Sequence, residues 1–183
     1  MKKRVGMVRI IKLKTRKGLI IFVRHLVRVI KWLERGNVVY FYGVGNENGY
    51  CSNFSNHPIE VDGLLFNSVE AFYQCEKFTS NVEIQEAIRL ARSPAACKSL
   101  ARRNTQLIRS DWEMVKVDVM KAGIRYKFSQ HSEIREKLLE TEGVIIENAM
   151  FDSYWGCGAE GIGLNMLGRL LVELRDELNS VST

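Results

Sequence analysis

Proline is almost missing from this 183-residue chain: only Pro58 and Pro94 occur, so no proline-rich linker divides it. The length suits one domain with a core of its own and is short for two. Histidine is scarce, with three residues far apart in sequence, and the four cysteines at 51, 75, 97 and 157 never form a C-x-x-C pair. Those absences exclude the usual zinc and dithiol signatures, so no metal site is expected. So few thiols in a chain this long predict a reducing compartment, the cytoplasm, and no disulfide framework. Long apolar runs are missing too. The stretch Leu19–Val23 is broken by Arg24 and falls far short of a membrane span. No transmembrane segment is expected, and no repeat or low-complexity tract appears.

Charge is present but unevenly spread. Residues 1–35 hold twelve Lys/Arg against Glu34 alone, a charge of +11. The rest holds 15 basic and 20 acidic residues, a charge of −5. The chain thus reads as a mildly acidic domain, residues 37–183, carrying a basic N-terminal extension, residues 1–36. Within the extension, Arg24, Arg28 and Lys31 recur at helical spacing among Leu26, Val27, Ile30 and Leu33. That permits a basic amphipathic helix able to touch a membrane surface or nucleic acid. A poorly ordered extension, or a start codon assigned too early, is the other reading. No small-residue cleavage site follows a clean apolar core, so a secretory signal is not read here.

The body gives clearer signals. "NVVYFYG" from Asn37 reads as a strand. "PIEVDGLLFNS" reads as a hairpin turning at Asp62-Gly63. Ser68 caps a helix over "VEAFYQCEKF", "VEIQEAIRLAR" is a second, and "SPAACKSLARR" a third with Pro94 in its first turn. "SDWEMVKVDVMKAGIRYKFSQ" is the longest helical pattern, with Trp112, Val115, Val119, Ile124 and Phe128 as its apolar face. "SEIREKLLET" follows, then "GVIIEN" as a short strand or extended piece, the glycine-rich loop "FDSYWGCGAEGIG", and a closing amphipathic helix over "LNMLGRLLVELRDEL". A few short strands beside many helices predict an α+β fold, a compact helix-rich single domain.

Three constellations stand out. At 3.6 residues per turn, Glu70, Gln74 and Lys77 share one helix face beside Val69, Phe72 and Tyr73. A solvated polar face is the plain reading of that pattern. In the glycine-rich loop, Asp152 precedes Tyr154 and Trp155, whose flat rings suit a base or a sugar. A tight turn with core aromatics is the plain reading there. The glycines are not read as a phosphate fingerprint, because no predicted strand-to-helix junction carries them. In "YCSNFSNHPI", Asn53 can donate to a ligand with Phe54 beside it, or merely make a turn. Two carboxylates, an amine and stacking aromatics on separate segments match the needs of glycosidic cleavage. There, one carboxylate stabilises the oxocarbenium-like centre or activates water, and a second acid assists the leaving group. A lysine beside an acid also suits Schiff-base chemistry.

The blocks "YCSNFSNHPIEVDGLLFNSVEAFYQCEKF", "RSPAACKSLARR", "SDWEMVKVDVMKAGIRYKFSQH" and "LLETEGVIIENAMFDSYWGCGAEGIGLNMLGRLLVELRDEL" resemble, in order and spacing, the NADAR family and its YbiA-like N-glycosidases. The resemblance spans about residues 39–178 and leaves the extension outside. It implies an N-glycosidase that needs no metal or other cofactor. It carries the family's helix acid onto Glu70, its lysine onto Lys77, the acid before Y-W-G onto Asp152 and that motif's aromatic onto Trp155. The S-N-F motif falls on Ser52, Asn53 and Phe54, and the acid ending the late strand on Glu147. One departure is Ala71, where the family commonly has His.

Three functions follow as expectations. The first is cleavage of early riboflavin-biosynthesis intermediates, ribosylamino-pyrimidine phosphates, releasing ribose 5-phosphate. The second is removal of ADP-ribose from guanine in nucleic acid, which the basic extension favours. The third is a non-catalytic ADP-ribose or NAD-type binding module, disfavoured by the joint presence of Glu70, Lys77 and Asp152. Glu70, Asp152 and Lys77 are the expected catalytic residues. Asn53, Phe54, Gln74, Tyr154, Trp155 and Glu147 are the expected substrate contacts.

Overall fold

The computed structural model describes residues 37–181, so the expectations for residues 1–36 lie outside it. Strand β1 (Val38–Phe41) opens the domain and β4 (Val144–Glu147) pairs with it in parallel, Val38 opposite Val144 and Phe41 opposite Glu147. Parallel neighbours need a long crossover, and here nearly the whole helical body serves as one. Strands β2 (Ile59–Val61) and β3 (Leu64–Phe66) form the expected antiparallel hairpin. Its turn residues Asp62 and Gly63 both have positive φ, 50° and 77°, the backbone a two-residue primed turn requires.

Among the described residues six α-helices surround these strands: α1 (Val69–Cys75), α2 (Val82–Arg89), α3 (Pro94–Arg103), α4 (Trp112–Gln130), α5 (Ser132–Glu140) and α6 (Met166–Val181). The mixed α+β class is as the sequence predicts. Local chemistry sets the starts. Ser68, Asn81 and Ser93 each accept a first-turn backbone N–H, from Ala71, Ile84 and Ala96. Pro94 follows its cap at N1, where its missing N–H costs nothing.

Helix α4 is the spine. Trp112, Met120, Ile124 and Phe128 are buried on it, while Val115 and Val119 are half-buried against the same core. Its Gly123 faces α1, and a Cβ there would stand 2.9 Å from Val69 Cγ1 and 3.1 Å from Phe72 Cδ1. Glycine therefore sets how closely the two helices approach. The hairpin is tied to the far end of α4 by a reciprocal pair: Glu60 N–H donates to Gln130 Oε1 and Gln130 Nε2 donates to the Glu60 carbonyl, both at 2.8 Å.

The segment from Asn148 to Asn165 is a loop held by its own backbone. Cys157 N–H donates to the Glu147 carbonyl at 2.8 Å and Leu164 N–H to the Ser153 carbonyl at 2.7 Å. Buried Asn165 locks the loop's end to β4, its Oδ1 accepting from Glu147 N–H at 2.9 Å and its Nδ2 donating to the Ile145 carbonyl at 2.8 Å. Cys51, Cys75, Cys97 and Cys157 are all free and buried. Among the described residues, no helix is long and apolar enough to cross a membrane.

Candidate active site

A cavity of about 240 Å³ collects side chains from seven segments. Its wall takes Ser52, Asn53 and Phe54 from the loop before the hairpin, and Glu70, Tyr73 and Gln74 from α1. Lys77 comes from the turn after α1, Lys98 and Arg102 from α3, Met120 from α4, Glu147 from the end of β4, and Asp152 and Trp155 from the late loop. Three carboxylates and three cations therefore face one space just below the usual range for small-molecule pockets, about 300–1,000 Å³.

The polar face of α1 is not solvated: Glu70 is 5% exposed and Gln74 3%. Gln74 Nε2 donates to Glu70 Oε1 at 2.7 Å, one turn along the helix. Burial pushes the Glu70 carboxyl above its ordinary pKa, while the Gln74 hydrogen bond and the cations Lys98, Lys77 and Arg102 pull it back. The three expected residues do not share a single helix. The α-helix ends at Cys75 and the chain tightens into a 3₁₀ turn over Glu76–Phe78, which carries Lys77. The Lys77 carbonyl accepts Arg109 N–H at 2.8 Å, a distant partner that replaces continued helix. The ammonium of Lys77 stands 5.1 Å from the Tyr73 ring centroid and 5.3 Å from that of Trp112. Burial lowers its pKa, Glu70 raises it, and Lys98 and Arg102 lower it further.

Glu147 has the most telling environment. Burial first, then the nearby charge of Asp152, pushes its carboxyl up to about 7, with Lys98 opposing and Glu70 adding a little. Asp152 itself organises the loop: its Oδ1 accepts from Tyr154 N–H at 3.0 Å and Trp155 N–H at 2.8 Å, which leaves Oδ2 for a ligand. Gly156, just beyond, has no room for a side chain, since a Cβ there would meet Ala149 Cβ at 2.6 Å and the Glu147 carbonyl oxygen at 3.0 Å. Gly156, Gly158 and Gly161 do have G-x-G-x-x-G spacing, but they lie mid-loop, away from the end of β4 and the start of α6. The strand-to-helix context that cradles a dinucleotide phosphate is not there.

One hydrogen of Asn53 Nδ2 is donated to Met120 Sδ at 3.1 Å, and among the described residues its buried Oδ1 has no partner. Gln74 Oε1 is likewise buried and unpartnered. Both amides thus offer an acceptor to the cavity, the complement of a sugar hydroxyl, because a buried carbonyl left unmatched is costly.

Of the expected site residues, Tyr154 alone does not line the cavity. Its ring packs edge-on to Trp155, centroids 5.1 Å apart, with Lys116 Nζ 4.0 Å from its centroid. Trp155 stands edge-on to Tyr73 at 5.6 Å. Ala71 is buried and is not part of the wall. Sequence reasoning missed Tyr73, Lys98, Arg102 and Met120. The one available signal was the i,i+4 spacing of Lys98 and Arg102, which sets both on one face of α3. Among the described residues, no three His, Cys, Asp or Glu side chains gather closely enough to hold a metal ion.

Known proteins share this arrangement of segments. The NADAR domain model matches residues 40–179. An N-glycosidase of Nostoc punctiforme is 38% identical over 146 residues, covering 78% of this chain and 94% of that protein. N-glycosidase YbiA of Escherichia coli is 37% identical over 150 residues, covering 81% and 93%. The NMR structure of E. coli YbiA superposes with a TM-score of 0.74 at 36% identity, covering 81% of this chain and 88% of the other. The chloroplastic riboflavin biosynthesis protein PYRR of Zea mays is 38% identical over 157 residues, but this chain spans only 25% of it. With a matching domain model across most of its length and relatives aligned nearly end to end, the chain belongs to the NADAR domain family.

Proposed function

We infer that this chain is a hydrolase of N-glycosidic bonds, and we propose that its substrate is a ribosylamino-pyrimidine phosphate from which ribose 5-phosphate is released. Relatives named N-glycosidase and riboflavin biosynthesis protein support the reaction class and the substrate class. The observation that carries the reading is one cavity walled by Glu70, Glu147 and Asp152 together with Lys77, Lys98 and Arg102.

In this reading the C1–N bond breaks as positive charge develops on the ribose. Glu70, whose burial raises its pKa against the pull of Gln74, Lys98, Lys77 and Arg102, acts as the carboxylate that stabilises that charge or activates water. Glu147 gains a larger role than substrate contact. Held protonated near neutrality by burial and by Asp152, it delivers a proton to the departing nitrogen, with Asp152 as its partner. Lys98 and Arg102 sit where a phosphate can bind, and neither has a carboxylate partner among the ion pairs of the described residues. Asn53 Oδ1 and Gln74 Oε1 accept from ribose hydroxyls.

Lys77 either holds a phosphate during that cleavage or opens a second route, in which it attacks an opened ribose. A ribosylamine ring-opens to an imine, and the neutral form of Lys77, favoured by burial, can attack its C1. The Nζ–C1 bond forms, the bond from C1 to the pyrimidine amine breaks as that amine takes a proton, and water then hydrolyses the lysine imine to the free aldehyde. Borohydride added during turnover is expected to leave a reduced sugar adduct on Lys77, located by peptide mass analysis. Turnover without any adduct would instead assign Lys77 to holding an anion.

A second reading, removal of ADP-ribose from guanine in nucleic acid, draws on the +11 charge of residues 1–35. One assay separates the two. The full chain and a version lacking residues 1–36 are given the aminopyrimidine ribotide, its dephosphorylated form and ADP-ribosylated DNA. Both versions are expected to cleave the ribotide. Arg102→Ala and Lys98→Ala should each raise KM for it about 10- to 100-fold, the effect of one lost charge-assisted contact, with little change for the dephosphorylated form. Cleavage confined to DNA and dependent on the extension would transfer the assignment to the second reading.

A further inference from the structure

Lys127 is the most deeply buried charged side chain among the described residues, 0% exposed, and it is not part of the cavity wall. Among the described residues no carboxylate pairs with it. Its Nζ donates instead to the Tyr50 carbonyl at 2.8 Å, the Ser52 carbonyl at 3.1 Å and Ser55 Oγ at 3.4 Å. Burying an amine without a counter-charge is expensive, and the burial pushes its pKa down to about 7. A methionine of similar length would fill the same space without that cost, so packing alone does not account for a lysine here.

What the amine holds is the loop 50–55, and that loop carries Ser52, Asn53 and Phe54 into the cavity. The loop is gripped from its other side too. The Asn53 carbonyl accepts Glu70 N–H at 3.1 Å, and Asn53 Nδ2 donates to Met120 Sδ at 3.1 Å. Met120 and Lys127 lie seven residues apart on α4, about two turns, and so share a face. One stripe of α4 thus holds the Asn53 side chain at one point and the loop backbone at another.

We propose that Lys127 is a positioning residue for the N-glycosidase site: its three-point hold on loop 50–55 fixes Asn53 and, through the Asn53 carbonyl, the first turn of α1 that carries Glu70. The proposal rests on reading the cavity as the active site.

The test uses the full chain with Lys127→Met and Lys127→Ala, followed by thermal melting, hydrogen exchange of the Glu70 amide, and kcat and KM on the ribotide. Both variants are expected to fold. Exchange at Glu70 should speed up about tenfold while Tyr73, deeper in α1, keeps its rate. The kcat should fall about 10- to 100-fold with KM nearly unchanged, as a misplaced but occupied site requires. In Lys127→Ala, n-propylammonium should restore both quantities, and n-propanol of the same length should not. Unchanged exchange and kcat would overturn the proposal. So would loss of folding in both variants, since the lysine would then be holding the fold and not the site. If the unaltered protein cleaves no N-glycoside, the active-site reading fails by itself. The exchange measurement still reports the hold on the loop, so the two failures are told apart.

Discussion

Glu70→Gln is expected to bind ligand nearly as the unaltered protein does and to lose about 10²- to 10⁴-fold in kcat. The substitution is isosteric, and the new amide oxygen can still accept from Gln74 Nε2, as Glu70 Oε1 now does at 2.7 Å. Only the negative charge disappears. That charge accepts from the Gln74 side-chain amide and faces the cations Lys77, Lys98 and Arg102. A cation forming at the ribose gains from it in the transition state and not in the ground state, so the loss appears in kcat while KM stays close. Stopped-flow turnover paired with ligand titration separates the two quantities. Normal turnover by this variant would remove Glu70 from the chemistry altogether.

Glu147→Gln is expected to lose most of its activity and, above neutral pH, to be more stable than the parent. An ordinary glutamate titrates near 4.5, whereas Glu147 in the fold titrates at about 7. The folded chain therefore keeps a proton that the unfolded chain gives up between those values. The associated stability is complete below 4.5, falls as pH rises toward 7, and levels off above it. Glutamine never ionises and escapes that loss, a gain of about 3 kcal/mol at pH 8 and almost none at pH 4. Urea unfolding at the two pH values measures it. For activity, the sign runs the same way: if Glu147 is the proton donor, kcat falls as pH rises through about 7. The variant should lack that limb and lose about 10²-fold or more at pH 6. A variant that retains the limb would point to another acid, and equal stability at both pH values would mean that Glu147 is not held protonated.

Local structure was legible where a residue's own chemistry decides it. Asp62-Gly63 specified the hairpin because few other pairs accept two positive φ values in succession. Ser68 and the Ser93-Pro94 pair marked helix starts because each supplies an oxygen, or lacks a donor, at the right place. The ending of α1 was not legible. Helical spacing runs on through Lys77, yet the turn there is closed by Arg109, 32 residues away. The role of Asn53 was half-legible: its place in a site-forming loop could be read, but not that Met120 would accept one of its N–H groups and that its acceptor would be left without a partner among the described residues.

Lys127 marks the limit most clearly. In sequence it sits among the polar positions of a helix, where lysine ordinarily faces water. In the fold it is sealed under a loop from the other side of the domain. Lys98 and Arg102 were equally visible as a pair on one helix face, with nothing to say whether that face met solvent or a cavity.

The sequence alone determined the element types, the mixed α+β class and the blocks that mark the family, because propensity, capping and turn geometry act over a few neighbouring residues. The tertiary structure decided which acids share a space, which of them keep a proton near neutrality, and which lysine is buried. Each of those properties is a sum over burial and charges brought from distant segments, as when Glu147 answers to Asp152, Lys98 and Glu70 together, and no stretch of chain contains that sum by itself.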